Sequence, residues 1–365
     1  MVSPKEKSSK EKSMNSARYS VKSLLTFGEE LLSTAGVSKD QASIITHILI
    51  EADMMGHVTH GLNLLSSYLE DLETGSLRKE GNETVICDHG ASVVWDGNRL
   101  SGIYLTWKAL EEASKRVQSI PAVTFCIRNS HHIGCLAAYM PRMVEQELFC
   151  LLASSDPSGK MVAPYGGKEA VYTPNPIAAG IPAGQGGPII IDISTSVTAA
   201  GVVNRHKARG KKLPAPWLLD KDGKPSDDPA IFGGNGSGTI LPLGGLDAGY
   251  KGYALGLLVE ALTSGLAGWG RSSGPTQWGA NVFIQVWNPD FFSGKKAFQK
   301  EMGWLVEQCH NTSPRSGFDR VRVPGDRALE LRSRMLQEGV ILDEGILPTL
   351  KPWAEKWNIS LPLPL

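Results

Sequence analysis

Apolar residues recur at helical spacing in three runs between residues 21 and 75, and the gap between the second and third holds a histidine. The first run carries Leu24, Leu31, Leu32 and Ala35. The second opens on Ser38-Lys39-Asp40-Gln41, a capping box in which the Ser38 hydroxyl takes one orphan N–H and Gln41 reaches back. It continues through Ala42, Ile45, Ile48, Leu49 and Ala52, so one face should be buried, and it stops at Gly56. The third has Leu62, Leu65, Leu69 and Leu72, ends at Gly75, and carries Tyr68 on a neighbouring face. The intervening stretch, 53–61, therefore places His60 at a corner between helices. Gly56 and Gly61 let the backbone turn there and leave room for a small molecule beside the imidazole.

Beyond residue 80 the pattern changes to β and then α/β. Two β-rich runs, 84–87 and 92–95, flank Asp88-His89-Gly90 and predict a hairpin. A helix over about 101–117 leads into a buried strand at 122–127, which empties into Arg128-Asn129-Ser130-His131-His132-Ile133-Gly134. The unit repeats as a helix near 136–147 and a strand at 148–153 ending in Ser154-Ser155-Asp156-Pro157. A further strand at 188–191 ends in Asp192-Ile193-Ser194-Thr195-Ser196. Polar loops at strand carboxyl ends are where α/β proteins hold ligands, so these three point to shared binding. Residues 204–239 read as loop, with a surface turn at 217–224. Gly249-Tyr250-Lys251-Gly252 opens a helix whose Leu255, Leu258, Val259, Leu262 and Leu266 follow helical spacing. Its N–H groups together with Lys251 make a phosphate site. A strand at 281–287 and helices near 295–310 and 326–339 complete the chain.

A length of 365 residues suits about two domains at ~150 residues each. The expected division is a tail at 1–20, a helical and α/β dimerisation and substrate domain at 21–120 with 281–365, and a cofactor-binding domain at 121–280. Lys+Arg and Asp+Glu are both 37, so no net field favours nucleic acid or a membrane as partner. A small-molecule substrate is the default. The 40 glycines exceed the usual ~7% and concentrate between residues 159 and 279, as tight turns around a ligand would require. Five cysteines without CxxC spacing read as reduced thiols. The first twenty residues are rich in Lys and Ser, without a signal-peptide apolar region, and read as a disordered tail. A cytoplasmic enzyme is expected.

No GxGxxG occurs: the glycine pairs at 184/186, 234/236, 236/238 and 268/270 lack the third glycine. P-loop, HExxH and GxSxG motifs are absent too. What remains is His60, His132, Asp192 and several strand-end hydroxyls, a set suited to proton transfer beside a cofactor. Asp192 is also a candidate to orient His60 and raise its proton affinity. A zinc site from His57, His60, His131, His132 and Asp192 competes, but its scattered spacing is a weak metal signal, and no metal ligand is assigned.

Over about residues 24–352 the chain resembles the type-2 malate/L-lactate dehydrogenase family, which includes ureidoglycolate dehydrogenase, sulfolactate dehydrogenase and piperideine-2-carboxylate reductase. The resembling motifs, in order, are Ala52-Asp-Met-Met-Gly-His-Val-Thr-His-Gly61, Arg128-Asn-Ser-His-His-Ile-Gly134, Ala163-Pro-Tyr-Gly-Gly-Lys-Glu169, Asn175-Pro-Ile-Ala178, Ile191-Asp-Ile-Ser-Thr-Ser196, Leu241-Pro-Leu-Gly-Gly245 and Tyr250-Lys-Gly-Tyr253. The resemblance implies an NAD- or NADP-dependent oxidoreductase moving a hydride to or from C2 of a 2-oxo acid, 2-hydroxy acid or cyclic imine. It implies a layered, mixed-sheet α/β fold with a cofactor-binding part unlike the Rossmann type, helical terminal segments, and a homodimer. It makes His60 and His132 the candidates for acid/base work and carbonyl polarisation, without choosing between them. Thr59 and Tyr68 correspond to substrate-pocket positions, and Ser155, Asp192, Ile193, Ser194, Lys251 and Gly252 to cofactor-contacting ones.

Three departures bear on substrate and cofactor. Leu64 stands where the family usually has an arginine that holds the substrate carboxylate, leaving Arg128 and Arg142 as replacements. Thr173-Pro174 replace the usual Gly-Thr before Asn-Pro, and 246–249 enlarge the loop before Lys251. They motivate a second reading, a catalytically weakened homologue kept as a ligand-binding dimer. The basic residues Arg205, Lys207, Arg209, Lys211 and Lys212 are candidates for an NADP 2′-phosphate, against the ordinary reading of a solvated loop.

Overall fold

Ser20 and Ser38 open the first two helices, Val21–Thr34 and Lys39–Met54, each accepting the N–H three residues on, from Ser23 and Gln41. Leu24, Leu31, Leu32, Ile45, Ile48 and Leu49 are fully buried, as their spacing demands. Gly56 stops the second helix in the left-handed region (φ 84). A short 3-10 turn, Leu62–Leu64, leads into the helix Leu65–Thr74, which ends at Gly75 with φ 78. In the computed structural model, which describes residues 17–233 and 238–365, these helices and the C-terminal segment from Asp326 form one compact unit; Gly81–Gly325 form another.

The first unit holds three elements absent from the sequence reading. Of the expected tail, residues 1–16 lie outside the described residues, but Arg18–Tyr19 form a strand paired with Val340–Ile341. The pairing is held at its rim, where Arg18 meets Glu338 and the Gly339 carbonyl. After the helix Asp326–Glu338 comes another, Ile346–Lys356, whose Trp353 indole donates to Ser66 Oγ at 3.1 Å.

The second unit is built on a seven-stranded mixed sheet in the order Thr84–Asp88, Ser92–Asp96, Ala122–Ser130, Ala280–Trp287, Phe149–Ser155, Ile177–Ile181, Ile189–Ile193. Only the Ser92–Asp96 and Ala122–Ser130 pair is parallel, joined through the helix Gly102–Arg116; every other neighbour is antiparallel. This is a mixed α/β fold, not a doubly wound parallel sheet, in keeping with the missing glycine fingerprint. The domain boundaries expected at 120/121 and 280/281 fall inside this unit. Strand Ala280–Trp287 is inserted between two strands of earlier sequence.

Two local expectations are corrected. Residues 204–239 are not simply loop: helix Ala200–Ala208 begins the region, and Leu218–Leu219, Pro225–Ser226 and Thr239–Ile240 form a small antiparallel sheet. Its Leu218 and Ile240 pack on Val162, Tyr172 and Val203, a core that sparse polar sequence concealed. The helix around Lys251 runs Gly245–Glu260, with a kink at Ala248, and continues as a π-turn Ala261–Gly265. Its buried stripe is Gly249, Gly252, Gly256, Val259 and Thr263, while Leu258 and Leu266 are 50% and 57% exposed. Close approach dictates this: a Cβ on Gly252 would lie 2.3 Å from the Leu243 nitrogen, and one on Gly256 2.7 Å from the Tyr172 ring. Among the described residues, no helix is long and apolar enough to cross a membrane.

Candidate active site

In the first unit, His60 lies in the turn between the helix Lys39–Met54 and the 3-10 turn, its N–H bonded to the His57 carbonyl at 2.8 Å. Its Nδ1 is 2.9 Å from Thr59 Oγ1, so a hydroxyl, able to donate or accept, faces the ring. The turn is anchored by Asp53, which the sequence reading passed over. This carboxylate is buried at the helix end, and its Oδ2 accepts the Leu62 N–H at 2.8 Å. Its Oδ1 is buried without a hydrogen bond and faces Gly61, where a Cβ would come within 2.1 Å. Burial pushes the Asp53 pKa up to about 7, against the Leu62 bond and helped by Asp343. Gly61 is thus required by the carboxylate as much as by the turn. Tyr68 is buried among Leu65, Leu69 and Leu72, and desolvation, with Asp71, raises its phenol above the usual range. The Leu64 side chain is half-buried.

In the second unit, His132 follows the kinked end of strand Ala122–Ser130. Asn129 takes φ 52 there, its side chain donating to Asp96 and its N–H to Asn281 Oδ1. Opposite, the pairing register shifts between Ala280 and Val282, a bulge that turns the chain at the rim of the sheet. The Gly134 N–H donates to His132 Nδ1 at 3.2 Å. A ring nitrogen that accepts cannot carry a proton, so neutral His132 is the Nε2–H tautomer. The Trp278 indole stacks on this imidazole, centroids 4.7 Å apart at 28°, and meets buried His131 edge-on.

Asp192 stands at the end of strand Ile189–Ile193, its Oδ2 accepting the Ala137 N–H at 2.8 Å and lying 3.6 Å from Cys135 Sγ. Burial, with the neighbouring Asp192, pushes the Cys135 thiol well up, so it stays protonated. Beyond Asp192, Ile193 is 46% exposed, and Ser194 Oγ donates to the Ser196 carbonyl. Leu243 ties this strand end to the glycine-faced helix: its N–H donates to the Thr195 carbonyl, and its own carbonyl accepts the Gly252 N–H. Asp192, Ile193, Ser194, Lys251 and Gly252 are thereby gathered in one region, with exposed Lys251 beside the Tyr250 ring. The donor set fits a dinucleotide: apolar surface at Ile193, hydroxyl and carboxylate beside it, and a cation for phosphate.

Ser155 is different, because its buried hydroxyl is 2.7 Å from Thr263 Oγ1 and 3.5 Å from Ser264 Oγ, inside the packing of the π-turn. Both expected replacements for the missing arginine are engaged in ion pairs. Arg128 pairs with Asp96 and donates to the Ala267 carbonyl, and Arg142 pairs with Glu111 over the Trp107 ring. Thr173 bonds Asn175, whose amide reaches Glu260, and Arg271 clamps Glu260 to the carbonyls of Asp156 and Gly159. Lys207 and Lys212 are held by the Phe232 carbonyl and Asp227.

The family model described as malate/L-lactate dehydrogenase matches residues 19–351. The chain belongs to this family. It is 28% identical over 352 residues to an L-lactate dehydrogenase of Cupriavidus necator, covering 94% of this chain and 99% of that one. It is 30% identical over 334 residues to the Delta(1)-pyrroline-2-carboxylate/Delta(1)-piperideine-2-carboxylate reductase of Pseudomonas syringae pv. tomato, covering 87% and 91%. The malate dehydrogenase crystal structure from Entamoeba histolytica shares the fold, with TM-score 0.88 at 23% identity over 96% of this chain and all of the other. The family member is therefore a dehydrogenase or reductase of the group whose relatives carry hydroxy-acid and cyclic-imine names.

Proposed function

We propose that this protein is an NAD- or NADP-dependent oxidoreductase that interconverts a 2-oxo acid and its 2-hydroxy acid, or a related cyclic imine and amine. The bound nicotinamide supplies or accepts the hydride; this chain's residues handle the proton and the oxygen or nitrogen. The observation that carries the reading is the Gly134 N–H bond to His132 Nδ1. It keeps Nε2–H as the donor of neutral His132, suited to polarising a carbonyl and unsuited to surrendering a proton, since imidazolate is a poor leaving form. His60 is the proton carrier, because Thr59 Oγ1 can accept from a protonated Nδ1 and donate to a bare one.

Asp192, Ile193, Ser194, Lys251 and Gly252 contact the cofactor. Ser155 shapes its wall through Thr263 and Ser264. Thr59 and Tyr68 belong to the substrate pocket. With Leu64 in place of a guanidinium, and with Arg128 and Arg142 already paired, the carboxylate of a simple 2-hydroxy acid such as malate is held by one charged contact fewer than the family usually provides. The exposed leucines of the helix Gly245–Glu260 suit a homodimer interface.

Separate fluorescence titrations with NADH and NADPH test the cofactor, followed by a panel of 2-oxo acids and cyclic imines read at the reduced-nicotinamide absorbance. Binding with turnover supports the proposal. Binding without turnover across the panel would favour the weakened homologue, and binding of neither nucleotide would reject the class.

A further inference from the structure

The indole of Trp278 lies nearly parallel to the His132 imidazole at 4.7 Å, while His131, buried on the strand side, meets the same indole at 72°. Nothing about secondary structure places an aromatic there: Trp278 sits between the short turn Arg271–Ser273 and strand Ala280–Trp287. Its position is held through its backbone by Arg99. One guanidinium nitrogen donates to the Trp278 carbonyl at 2.7 Å and the other to the Ser130 carbonyl at 3.4 Å. The same side chain thus grips the residue before the two histidines and the residue stacked on them.

Arg99 adopts φ 64, and its own N–H donates to the Asn129 carbonyl at 2.8 Å, so the clamp rests on a left-handed turn that is itself tied to the strand. The next residue after Trp278 must be glycine for this to close. A Cβ on Gly279 would come within 2.5 Å of both Arg99 Nη1 and the Ser130 carbonyl.

We infer that Trp278 is a positioning residue for His132, fixing the imidazole plane, with Arg99 holding the indole in register. The inference rests on the reading of His132 as the polarising group. The Gly134 bond meets the ring at its Nδ1 edge and selects the tautomer, while the indole meets its face and opposes tilting of the plane. Edge and face contacts together orient Nε2–H. Offset stacking of aromatic rings is favourable at this separation.

The test uses the full-length protein labelled with 15N-histidine, in wild type, Trp278→Leu, Trp278→Phe and Arg99→Gln, with the His132 signals assigned through His132→Gln. Trp278→Leu is expected to lose the indole ring-current shift at His132 and to weaken the dominance of the Nε2–H tautomer. Its kcat should fall about 10–100-fold, the range for a misoriented catalytic group, with KM changed less than about threefold. Trp278→Phe should restore most of both, and Arg99→Gln should show the same changes to a smaller degree. Unchanged His132 shifts and tautomer in Trp278→Leu would overturn the inference, whatever its activity. Wild-type turnover in His132→Gln would instead reject the role given to His132, leaving the resonance comparison to decide whether Trp278 positions the ring.

Discussion

The two histidine turns are held by opposite kinds of anchor. The turn that carries His60 is anchored through the Leu62 N–H on a buried carboxylate, Asp53, and the ring lies beside a hydroxyl that works in either hydrogen-bonding sense. His132 is held by a backbone N–H and an indole face, neither of which titrates. An anchor that takes up and releases protons tolerates a ring that does the same. An anchor made of a fixed donor selects one tautomer of the neutral ring. The contrast is the ground for proposing proton traffic at His60 and polarisation at His132, a choice that motif resemblance alone leaves open.

The sharpest way to break this comparison is to remove each ring and read the pH profile as well as the rate. His60→Gln and His132→Gln should each lower kcat by about 100-fold or more. Only His60→Gln should erase a pH-dependent limb of kcat/KM near neutrality, while His132→Gln keeps the wild-type profile at reduced height. The reverse pattern would exchange the two roles.

A smaller effect sharpens the substrate side of the first unit. Leu64→Arg introduces a guanidinium on the helical turn after His60, where Leu64 is only half-buried and a long side chain can extend to water. A charged hydrogen bond to a carboxylate is worth roughly 1.5–3 kcal/mol, so kcat/KM for a 2-oxo dicarboxylate should rise about 10-fold or more. A 2-oxo monocarboxylate should gain as well, whereas the corresponding amide, which lacks the carboxylate, should not. An equal gain for acid and amide would show a general rather than a carboxylate-directed effect.

Much of the helical frame was legible because burial and period agree. The leucines at 62, 65, 69 and 72, the Ser38 cap and the Gly56 stop all behave as their pattern requires. The hairpin around Asp88-His89-Gly90 forms too, with Gly90 at φ 79. Legibility failed where glycine replaced leucine as the packing residue. In the helix Gly245–Glu260 the buried stripe has almost no side chains, and a pattern reading follows the leucines to the wrong face. It failed again where a polar region folds on a few apolar residues, as Leu218 and Ile240 do. Asp53 was within sight, one residue past the buried Ala52 at the end of an amphipathic helix, where a carboxylate on the packed side signals a buried anchor. Trp278 carried no local signal, because its partner is more than a hundred residues away and only the bulged strand brings them together.

The Asp53 anchor makes its own pH-dependent contribution to stability. Its folded pKa of about 7 lies above the ordinary carboxylate value of 3.8, so the folded state binds a proton that the unfolded chain has released between those values. Stability from this group is therefore complete below about pH 4 and is lost as the pH rises through about 7. At about 1.4 kcal/mol per pH unit across that window, the loss is on the order of 4 kcal/mol. Asp53→Asn keeps an oxygen for the Leu62 N–H and removes the charge. Urea denaturation of wild type and variant at intervals from pH 4.5 to 8 should show the variant losing less stability as pH rises, so that it is the more stable of the two at pH 8. Parallel curves would mean that the carboxylate stays ionised in its buried site. The turn beneath His60 would then be fixed in charge as firmly as the one beneath His132, and the difference between the two anchors would lie in Thr59 alone.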